Sequence, residues 1–425
     1  MLVGEVLGCE SDYTDAVSSV DALVVNNDAV LKIERDGGQI TAISVRAPVK
    51  GEALRVTRID RAAEPPLFGT LLVWSAAGGI GTSRLSDAER ARLADIGLLI
   101  PPDRVSTPVL FSCDATETAP PLVPMRAAAP HQQLSETSDL RASATLRRFG
   151  SEGPPAEMRG RLSLRNPFNP NQSWIMVDDD PLAAPRIHSY GYDVAAALER
   201  LEAGSPVPDS VSPRLRQQLF DAGAIESASV RAREREQRLH DAAEAHRLLR
   251  ERRFVSLSRL VPDLQVAAAR RYYRALIAEG FLPLGDAEWP DRYFATKEPL
   301  AYFFHQQLTT VVSLVAGEPV KPSFCVFASY RPGAELPPHR DREQCEYSLS
   351  ILIDHSPEPV DVSPWPLYLK PPGASSATPL AAGLGDGVLY YGREVTHYRE
   401  RLTAAEFCSF WFFFYVPEAF TGPLD

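Results

Sequence analysis

The stretch "LPPHRDREQCEYSLSILID", residues 336–354, places a histidine and an aspartate directly before a run of strand-forming residues. His339 and Asp341 are two positions apart, so in an extended backbone both side chains leave the same face of the chain. The residues from 347 to 353 continue with a composition typical of a β-strand. An imidazole and a carboxylate on one face supply two ligands of a metal site, and another part of the chain must supply a third.

Length and composition are those of an ordinary globular protein with more than one domain. The chain has 425 residues, of which 44% are hydrophobic and 23% charged, and this length favours two or three domains. No run reaches the roughly eighteen apolar residues of a transmembrane helix, and the first residues lack the basic-then-apolar pattern of a signal peptide. The formal charge of -11 argues against broad nucleic-acid binding. We therefore expect neither a membrane nor a nucleic acid as partner.

The cysteines indicate a reducing compartment. The five of them are scattered, odd in number and without CxxC spacing: Cys9, Cys113, Cys325, Cys345 and Cys408. This pattern favours free thiols in the cytoplasm over a disulfide framework or a structural zinc site.

The first part of the chain predicts a small β-plus-helix module. Residues 21–48 alternate around "RDGG", which indicates a β-hairpin. The segment "SRLSDAERARLADIGLLI" opens with Ser86 ahead of Glu89, a capping-box spacing, and its helix ends at Gly97. Strands, helices and a closing strand predict a winged-helix-like module over residues 1–110. Residues 111–155 are rich in Pro, Ala, Ser and Thr and are predicted to be a linker.

A second module is predicted over residues 156–228. There "SPRLRQQLFDAGAIES" resembles "AERARLADIGLLIPP" of the first module in its spacing of Leu, Ala, Gly and aliphatic residues. The resemblance suggests a duplication, and chance similarity between two amphipathic helices is the alternative. A charged amphipathic helix over residues 229–253 follows.

The remainder, with that helix, forms a predicted domain over residues 229–425. Two segments with helical periodicity, each ending at a glycine, precede a change to period two. Five strand-like segments follow at short intervals: 323–330, 345–353, 365–370, 387–392 and 406–416. Short strands separated by Pro, Gly and Asp turns predict a β-sandwich or jelly roll, with the helices buttressing one sheet. The fold class of the whole chain is therefore α+β.

The third ligand candidate is His397, in the segment "GDGVLYYGREVTHYRERL". The 56 residues from Asp341 to His397 (397 minus 341) are enough for an excursion to the other sheet and back. Two histidines and one carboxylate on one face of an Fe(II) ion leave positions open for oxygen chemistry.

The sequence around these residues resembles the Fe(II)/2-oxoglutarate-dependent dioxygenases. The resemblance covers residues 255–420 and rests on four features in order: the lead-in "SYRPGAELPPHRD", the His339-x-Asp341 pair, the "GDGVLYYG" turn and the distal His397. It implies a double-stranded β-helix, which is a jelly roll, with Fe(II) bound by the three residues and with 2-oxoglutarate and O2 as co-substrates. Hydroxylation of an unactivated C–H bond is the implied reaction, since halogenases of this type carry a small residue in place of Asp341.

The co-substrate site departs from the family pattern. Members commonly hold the distal carboxylate of 2-oxoglutarate with an Arg or Lys about ten residues beyond the distal histidine, where this chain has "EF" (406–407). Arg399 and Arg401 lie two and four positions beyond His397 and share its face if the strand is regular. Like-facing neighbours are about 6.6 Å apart along a strand, near the length of the co-substrate. We predict Arg399 first and Arg401 second as its ligand, with the Tyr330 hydroxyl as an additional donor; a surface ion pair is the alternative for either arginine.

The substrate is not specified by the sequence. The N-terminal modules favour a peptide or protein-borne residue, because small modules of this kind can add a peptide strand to a sheet edge. A free amino acid or small metabolite is the alternative, with the front half serving as a homodimer interface or a lid. A non-catalytic protein that binds the metal, 2-oxoglutarate or a peptide on the same fold is the third possibility.

Overall fold

The computed structural model describes residues 23–424 with gaps, of which the longer ones are 78–84, 105–111, 114–138, 164–172 and 191–196 and the others span one to four residues. The chain divides into two compact units. One comprises Met1–Ser75 with Ile80–Ser106, and the other comprises Ala76–Gly79 with Thr107–Asp425. Among the described helices, none is both long and apolar enough to cross a membrane.

The N-terminal part is a three-stranded antiparallel sheet followed by two helices. Its elements are β1 (Val24–Val25), β2 (Val30–Asp36), β3 (Gln39–Ala47), β4 (Arg55–Asp60), α1 (Pro65–Ala77), α2 (Asp87–Asp95) and β5 (Leu99–Ile100). The sheet has the order β2-β3-β4, and β1 pairs with β5. Strands β2 and β3 form the predicted hairpin, whose turn includes Gly37 at φ +53°. Ser86 and Glu89 form the predicted capping box at the start of α2.

The next part of the chain contains short strands. They are β6 (Ser112–Cys113), β7 (Leu140–Ala142), β8 (Arg147–Phe149), β9 (Leu162–Ser163), β10 (Ser173–Val177), β11 (Arg186–Tyr190) and β12 (Ile225–Ser227). Strands β8, β10 and β11 form a three-stranded sheet, β7 pairs with β12, and β6 pairs with β9. Three of these strands lie within residues 111–155, the segment whose composition predicts a linker. Composition therefore did not reveal the strands of that segment.

The first and second parts share one topology. In each, an opening strand pairs with a closing strand (β1 with β5, β7 with β12), and a three-stranded antiparallel sheet lies between them in sequence. One side-chain contact in the segment that precedes the closing strand also occurs in both parts. The Arg90 Nε donates to the Leu85 carbonyl at 3.3 Å, and the Arg216 Nε donates to the Val211 carbonyl at 2.9 Å. The duplication and the winged-helix likeness both stay predictions.

The C-terminal part is a pair of antiparallel sheets with helices. Its helices are α3 (Ala228–Arg252), α4 (Asp263–Ala278), α5 (Pro299–Gln307) and α6 (Thr309–Ala316). Its strands are β13 (Phe254–Leu257), β14 (Arg292–Thr296), β15 (Val320–Tyr330), β16 (Leu336–His339), β17 (Tyr347–Ser356), β18 (Leu367–Lys370), β19 (Thr378–Leu380), β20 (Gly387–Tyr391), β21 (Thr396–Arg399) and β22 (Phe407–Pro417). The large sheet has the order β13-β20-β17-β22-β15-β14, and the small sheet has the order β16-β21-β18-β19. This is the jelly-roll-like arrangement that the strand spacing predicts.

Strand β22 shows how the roll is packed. Its alternate residues Trp411, Phe413 and Tyr415 are fully buried in one core cluster with residues of α4, α5 and α6. The intervening Phe412 and Phe414 are only partly buried and pack in a different cluster. One face of the large sheet therefore packs against helices, as predicted, and the other face lines the inside of the roll.

The helix-facing core also includes residues of the preceding module. Trp174 and Ile187, from β10 and β11, belong to the same buried cluster, and the Ala184 amide donates to the Leu260 carbonyl at 2.7 Å. The domain boundary predicted at residue 228 thus lies within one compact unit, because the two segments bury apolar surface against each other.

Candidate metal centre

Three side chains from adjacent segments converge at one end of the small sheet. His339 ends β16 and is paired in register with His397 on the neighbouring strand β21. Asp341 follows two residues after His339, and one ligand atom from each of the three residues lies within 4.8 Å of the others. The two Nε2 atoms lie 3.7 Å and 3.5 Å from the Asp341 Oδ1. The structure therefore brings together the three residues that the sequence proposes as ligands.

Both imidazoles are oriented by backbone carbonyls. The His339 Nδ1 lies 2.9 Å from the Pro337 carbonyl oxygen, and the His397 Nδ1 lies 3.0 Å from the Val395 carbonyl oxygen. Because a carbonyl can only accept, each Nδ1 carries the hydrogen, and each Nε2 keeps a lone pair that faces Asp341. Histidine ligands of metals are commonly fixed by this kind of hydrogen bond.

The carboxylate of Asp341 is fixed with one oxygen free. The Ser348 Oγ donates to Oδ2 at 2.6 Å, which leaves Oδ1 directed towards the histidines. The Asp341 amide donates to the Gly392 carbonyl at 2.9 Å. A Cβ at Gly392 would lie 2.5 Å from the Asp341 Oδ2 and would also collide with the Ser348 Oγ. Only glycine allows this close approach, so the turn after β20 and the serine of β17 together position the ligand.

The site opens to solvent on one side. The side chains of His339, Asp341 and His397 are 39%, 12% and 3% exposed. Burial lowers the pKa of His397, and the neighbouring Asp341 opposes this effect. The buried imidazole is therefore held in the neutral form that a metal requires.

Arg399 is a buried cation that lies on the same strand as His397. It is 5% exposed, its Nη1 donates to the Trp365 carbonyl at 2.7 Å, and its Nη2 donates to the Ser350 Oγ at 3.3 Å. Its guanidinium lies 4.0 Å from the centre of the Phe410 ring. Its Nε has no hydrogen-bond partner, and among the described residues no carboxylate lies within ion-pair distance. Burial lowers the pKa of Arg399.

Another buried arginine of the same domain has a counter-ion, unlike Arg399 among the described residues. Arg270 is also buried, and its Nε lies 2.8 Å from the Asp354 Oδ1. Arg274 binds the other oxygen of the same carboxylate at 2.6 Å. A buried charge is stable only when it is paired or well hydrogen-bonded. The empty Nε and the missing counter-ion of Arg399 fit an anionic ligand, such as the distal carboxylate of a dicarboxylic acid.

The second arginine candidate lies elsewhere. Strand β21 ends at Arg399, so the regular strand that would bring Arg401 to the same face does not continue. The Arg401 side chain is 67% exposed, with its Nε 3.9 Å from the Glu335 Oε2. The prediction that Arg401 faces the pocket is therefore wrong, and its alternative, a surface ion pair, applies.

Tyr330 lies inside the roll, as its prediction requires. It is 2% exposed, and its ring makes an edge contact with Trp365 at 5.1 Å between centroids. Burial raises the pKa of Tyr330, and the charges of Arg292 and Arg399 oppose this effect. A neutral phenol near Arg399 is able to donate a hydrogen bond to the same ligand.

The sequence interpretation missed three residues of this site. Ser348 and Ser350 bind Asp341 and Arg399, respectively, and both are buried on the inner face of β17. Tyr390 is paired in register with Ser348, and its ring lies 4.7 Å from the His397 ring. Two serines at alternate positions of the aliphatic run "YSLSILI" are the signal that was available, because each is a polar residue on an otherwise apolar strand.

The donor set fits the group implied by the resemblance. Two neutral imidazoles and a carboxylate with one free oxygen are the ligands of a non-haem Fe(II) site with open positions. The buried, partly unsatisfied guanidinium lies on the same strand as one of these ligands. Fe(II) with 2-oxoglutarate would thus be held by His339, Asp341 and His397 at one end and by Arg399 at the other.

Comparison with known proteins gives likenesses of structure alone. No protein-family model matches the sequence, and no curated protein matches it. The C-terminal part is similar to solved structures of Fe(II)/2-oxoglutarate oxygenases. The carbocyclase SnoK from nogalamycin biosynthesis is 14% identical, with 40% of this chain and 82% of that chain covered and a TM-score of 0.34. A prolyl-4-hydroxylase of Pseudomonas putida is 20% identical (41% and 97% covered, TM-score 0.32), and a prolyl hydroxylase of Trichoplax adhaerens is 12% identical (44% and 93% covered, TM-score 0.37).

Proposed function

We propose that the C-terminal domain is an Fe(II)- and 2-oxoglutarate-dependent dioxygenase that hydroxylates an unactivated C–H bond. The observation that carries the proposal is the combination of two sites on β21. His397 faces His339 and Asp341, and Arg399 is a buried cation with no counter-ion among the residues that the structure describes. When bound, Fe(II) with 2-oxoglutarate and O2 supplies an oxidant that inserts one oxygen atom of O2 into a C–H bond. The other oxygen atom enters succinate, and the carboxyl group lost from 2-oxoglutarate leaves as CO2.

The residues of the chain bind and orient the reactants. The two Nε2 atoms and the Asp341 Oδ1 would be three ligands of the metal, and its remaining positions would be open to co-substrate and substrate. Ser348 keeps the aspartate in place with a 2.6 Å hydrogen bond. Arg399 receives the distal carboxylate, and its planar group suits a carboxylate better than an ammonium would.

The apolar walls of the roll exclude water from the co-substrate. Phe410 is 2% exposed beneath the Arg399 guanidinium, and Trp365 is 4% exposed beside it. In such surroundings a charge-assisted hydrogen bond is stronger than it would be in water.

The test is turnover in a mixture of candidate substrates. Fractionated extract is incubated with the protein, Fe(II), 2-oxoglutarate and air, and mass spectrometry follows succinate and any product that gains one oxygen atom. The proposal requires succinate formation that depends on Fe(II) and is lost in Asp341→Ala but kept in Arg401→Gln, whose side chain is exposed. Equal succinate in the wild type and in Asp341→Ala would contradict it.

We further propose that the substrate is a residue of a peptide or protein, held in part by the N-terminal modules. The support is the similar strand pairing in the two parts of the front half, whose described residues contribute none of the three candidate metal ligands. Binding remote from the reacting atom can position a large substrate at the metal. A free amino acid or small metabolite is the alternative substrate.

A deletion separates the two substrate classes. Removal of residues 1–106 takes away the whole first unit, together with Ala76–Gly79 of the second, and leaves the helix-facing core of the second unit intact. If the first module contributes to holding the substrate, kcat/KM for the true substrate falls while the affinity for 2-oxoglutarate is unchanged. Unchanged kcat/KM after this deletion would favour the small-molecule alternative.

A further inference from the structure

Tyr390 is a buried polar side chain that the proposed function has not used. It lies on β20, is 2% exposed, and its ring packs with Leu369 and Val395. Its hydroxyl makes no hydrogen bond to any residue that the structure describes. The hydroxyl is not one of the fully buried, unpartnered polar atoms among the described residues, so it reaches accessible space and is not sealed in the core.

The surroundings of Tyr390 indicate where a partner for its hydroxyl would lie. Tyr390 is paired in register with Ser348, which binds Asp341, and residues paired in this way have Cβ atoms about 4.5–5.5 Å apart. Its ring also lies 4.7 Å from that of His397. The phenol interacts electrostatically with both Asp341 and Arg399. It is therefore beside two of the three ligands and within range of the buried cation.

We propose that the Tyr390 hydroxyl donates a hydrogen bond to the metal-chelating end of the bound 2-oxo acid. This inference rests on the proposed function and names a further residue for the co-substrate. The strand register indicates that Tyr390 serves the metal-chelating end of the 2-oxo acid and not its distal end. Tyr390 is paired with Ser348, which binds Asp341, whereas Ser350, two residues along β17, binds Arg399. Tyr390 is thus one strand step nearer the metal than the residues that contact Arg399.

The hydroxyl is suited to this role. A phenolic hydroxyl carries one hydrogen, which it can donate to a carboxylate or keto oxygen.

The experiment compares two single-atom deletions on one strand. Tyr390→Phe removes the hydroxyl that faces the roll. Tyr391→Phe is the matched control, because Tyr391 contacts Tyr347 and Arg253 instead. Binding of 2-oxoglutarate and of oxalate is measured by calorimetry on each Fe(II)-loaded protein without oxygen. Oxalate carries chelating carboxylates but has no distal group for Arg399.

The inference predicts that Tyr390→Phe weakens both ligands by about tenfold or more, the value of one hydrogen bond to a charged group, while Tyr391→Phe leaves both unchanged. Affinities within about twofold of the wild type in Tyr390→Phe would overturn it. Weakening of 2-oxoglutarate but not of oxalate would also overturn it, since the hydroxyl would then serve the distal carboxylate. If the wild type itself binds neither Fe(II) nor 2-oxoglutarate, it is the proposed function that fails.

Discussion

Replacement of Arg399 by methionine should separate the stability of the empty protein from its affinity for 2-oxoglutarate. Without a ligand the guanidinium is buried over Phe410, and no carboxylate of the described part of the chain pairs with it. Replacing buried charges by apolar side chains of similar volume is often neutral or stabilising by about 1–4 kcal/mol. Here the gain is reduced by the loss of two hydrogen bonds, to Trp365 and Ser350. We expect the free energy of unfolding of the empty variant to lie within about 2 kcal/mol of the wild type.

The same substitution should be severe for the co-substrate. A buried carboxylate that loses its charge-assisted partner loses about 2–5 kcal/mol of binding free energy, which is a factor of about thirty to several thousand in Kd. A ligand at one hundred times its Kd stabilises the folded protein by about 2.7 kcal/mol, and the variant at the same concentration should show almost none of this. Thermal unfolding of Fe(II)-loaded protein without oxygen, with and without 2-oxoglutarate, measures both effects.

Arg401→Met is the control, because the same change is made in an exposed side chain two residues away. It should leave the stabilisation by 2-oxoglutarate unchanged. The reasoning is refuted if Arg399→Met keeps an affinity within about threefold of the wild type, or if Arg401→Met loses it.

Three further predictions concern the metal site and acid stability. Ser348→Ala should weaken Fe(II) binding by about 10–100-fold, because Asp341 loses the hydrogen bond that orients it; calorimetry measures this, and Ser409→Ala, buried against Ser329, is the control. Asp341→Ala should abolish hydroxylation, and product analysis in added chloride should show whether a halide then replaces the lost ligand; retained hydroxylation would exclude Asp341 from the site. Burial lowers the pKa of His305 to about 4. The unfolded chain therefore takes up a proton that the folded protein resists, and this part of the stability, about 3 kcal/mol at most, is lost as the pH falls from about 6.5 to about 4. Denaturant unfolding at neutral and acidic pH should show a smaller loss in His305→Phe than in the wild type, and equal losses would contradict the prediction.

The sequence predicts the metal ligands because their positions depend on local geometry. Two residues in an extended backbone share a face whatever the fold around them, so His339 and Asp341 could be assigned together. The assignment of His397 as the third ligand required only that its strand lie beside the one that carries His339. The pairing of β16 with β21 brings the two histidines opposite each other. The strands of the roll were predictable for a similar reason, since their apolar residues alternate and short turns separate them.

The parts that the sequence did not predict depend on where elements end and what packs across them. Arg401 failed as a candidate because β21 ends at Arg399, and the Leu402 amide instead donates to the Ala334 carbonyl at 2.8 Å. No local sequence pattern predicts that the strand ends at Arg399. Tyr390 was not identified because its role depends on a neighbour in register on β17, which single-strand periodicity does not reveal. The core shared between β10, β11 and the helices was missed because the boundary at residue 228 was placed from composition and helical pattern alone.

Anaerobic titration with Fe(II) and then 2-oxoglutarate tests the central claim most directly. The three ligands and Arg399 together predict one Fe(II) and one 2-oxoglutarate per chain. They also predict a visible charge-transfer absorption that appears only when both are present. Asp341→Ala should lose the absorption at any concentration, and Arg399→Met should need far more 2-oxoglutarate to reach it. An Fe(II)-loaded wild-type protein whose spectrum does not change on addition of 2-oxoglutarate, and whose calorimetric titration shows no binding, would contradict the account.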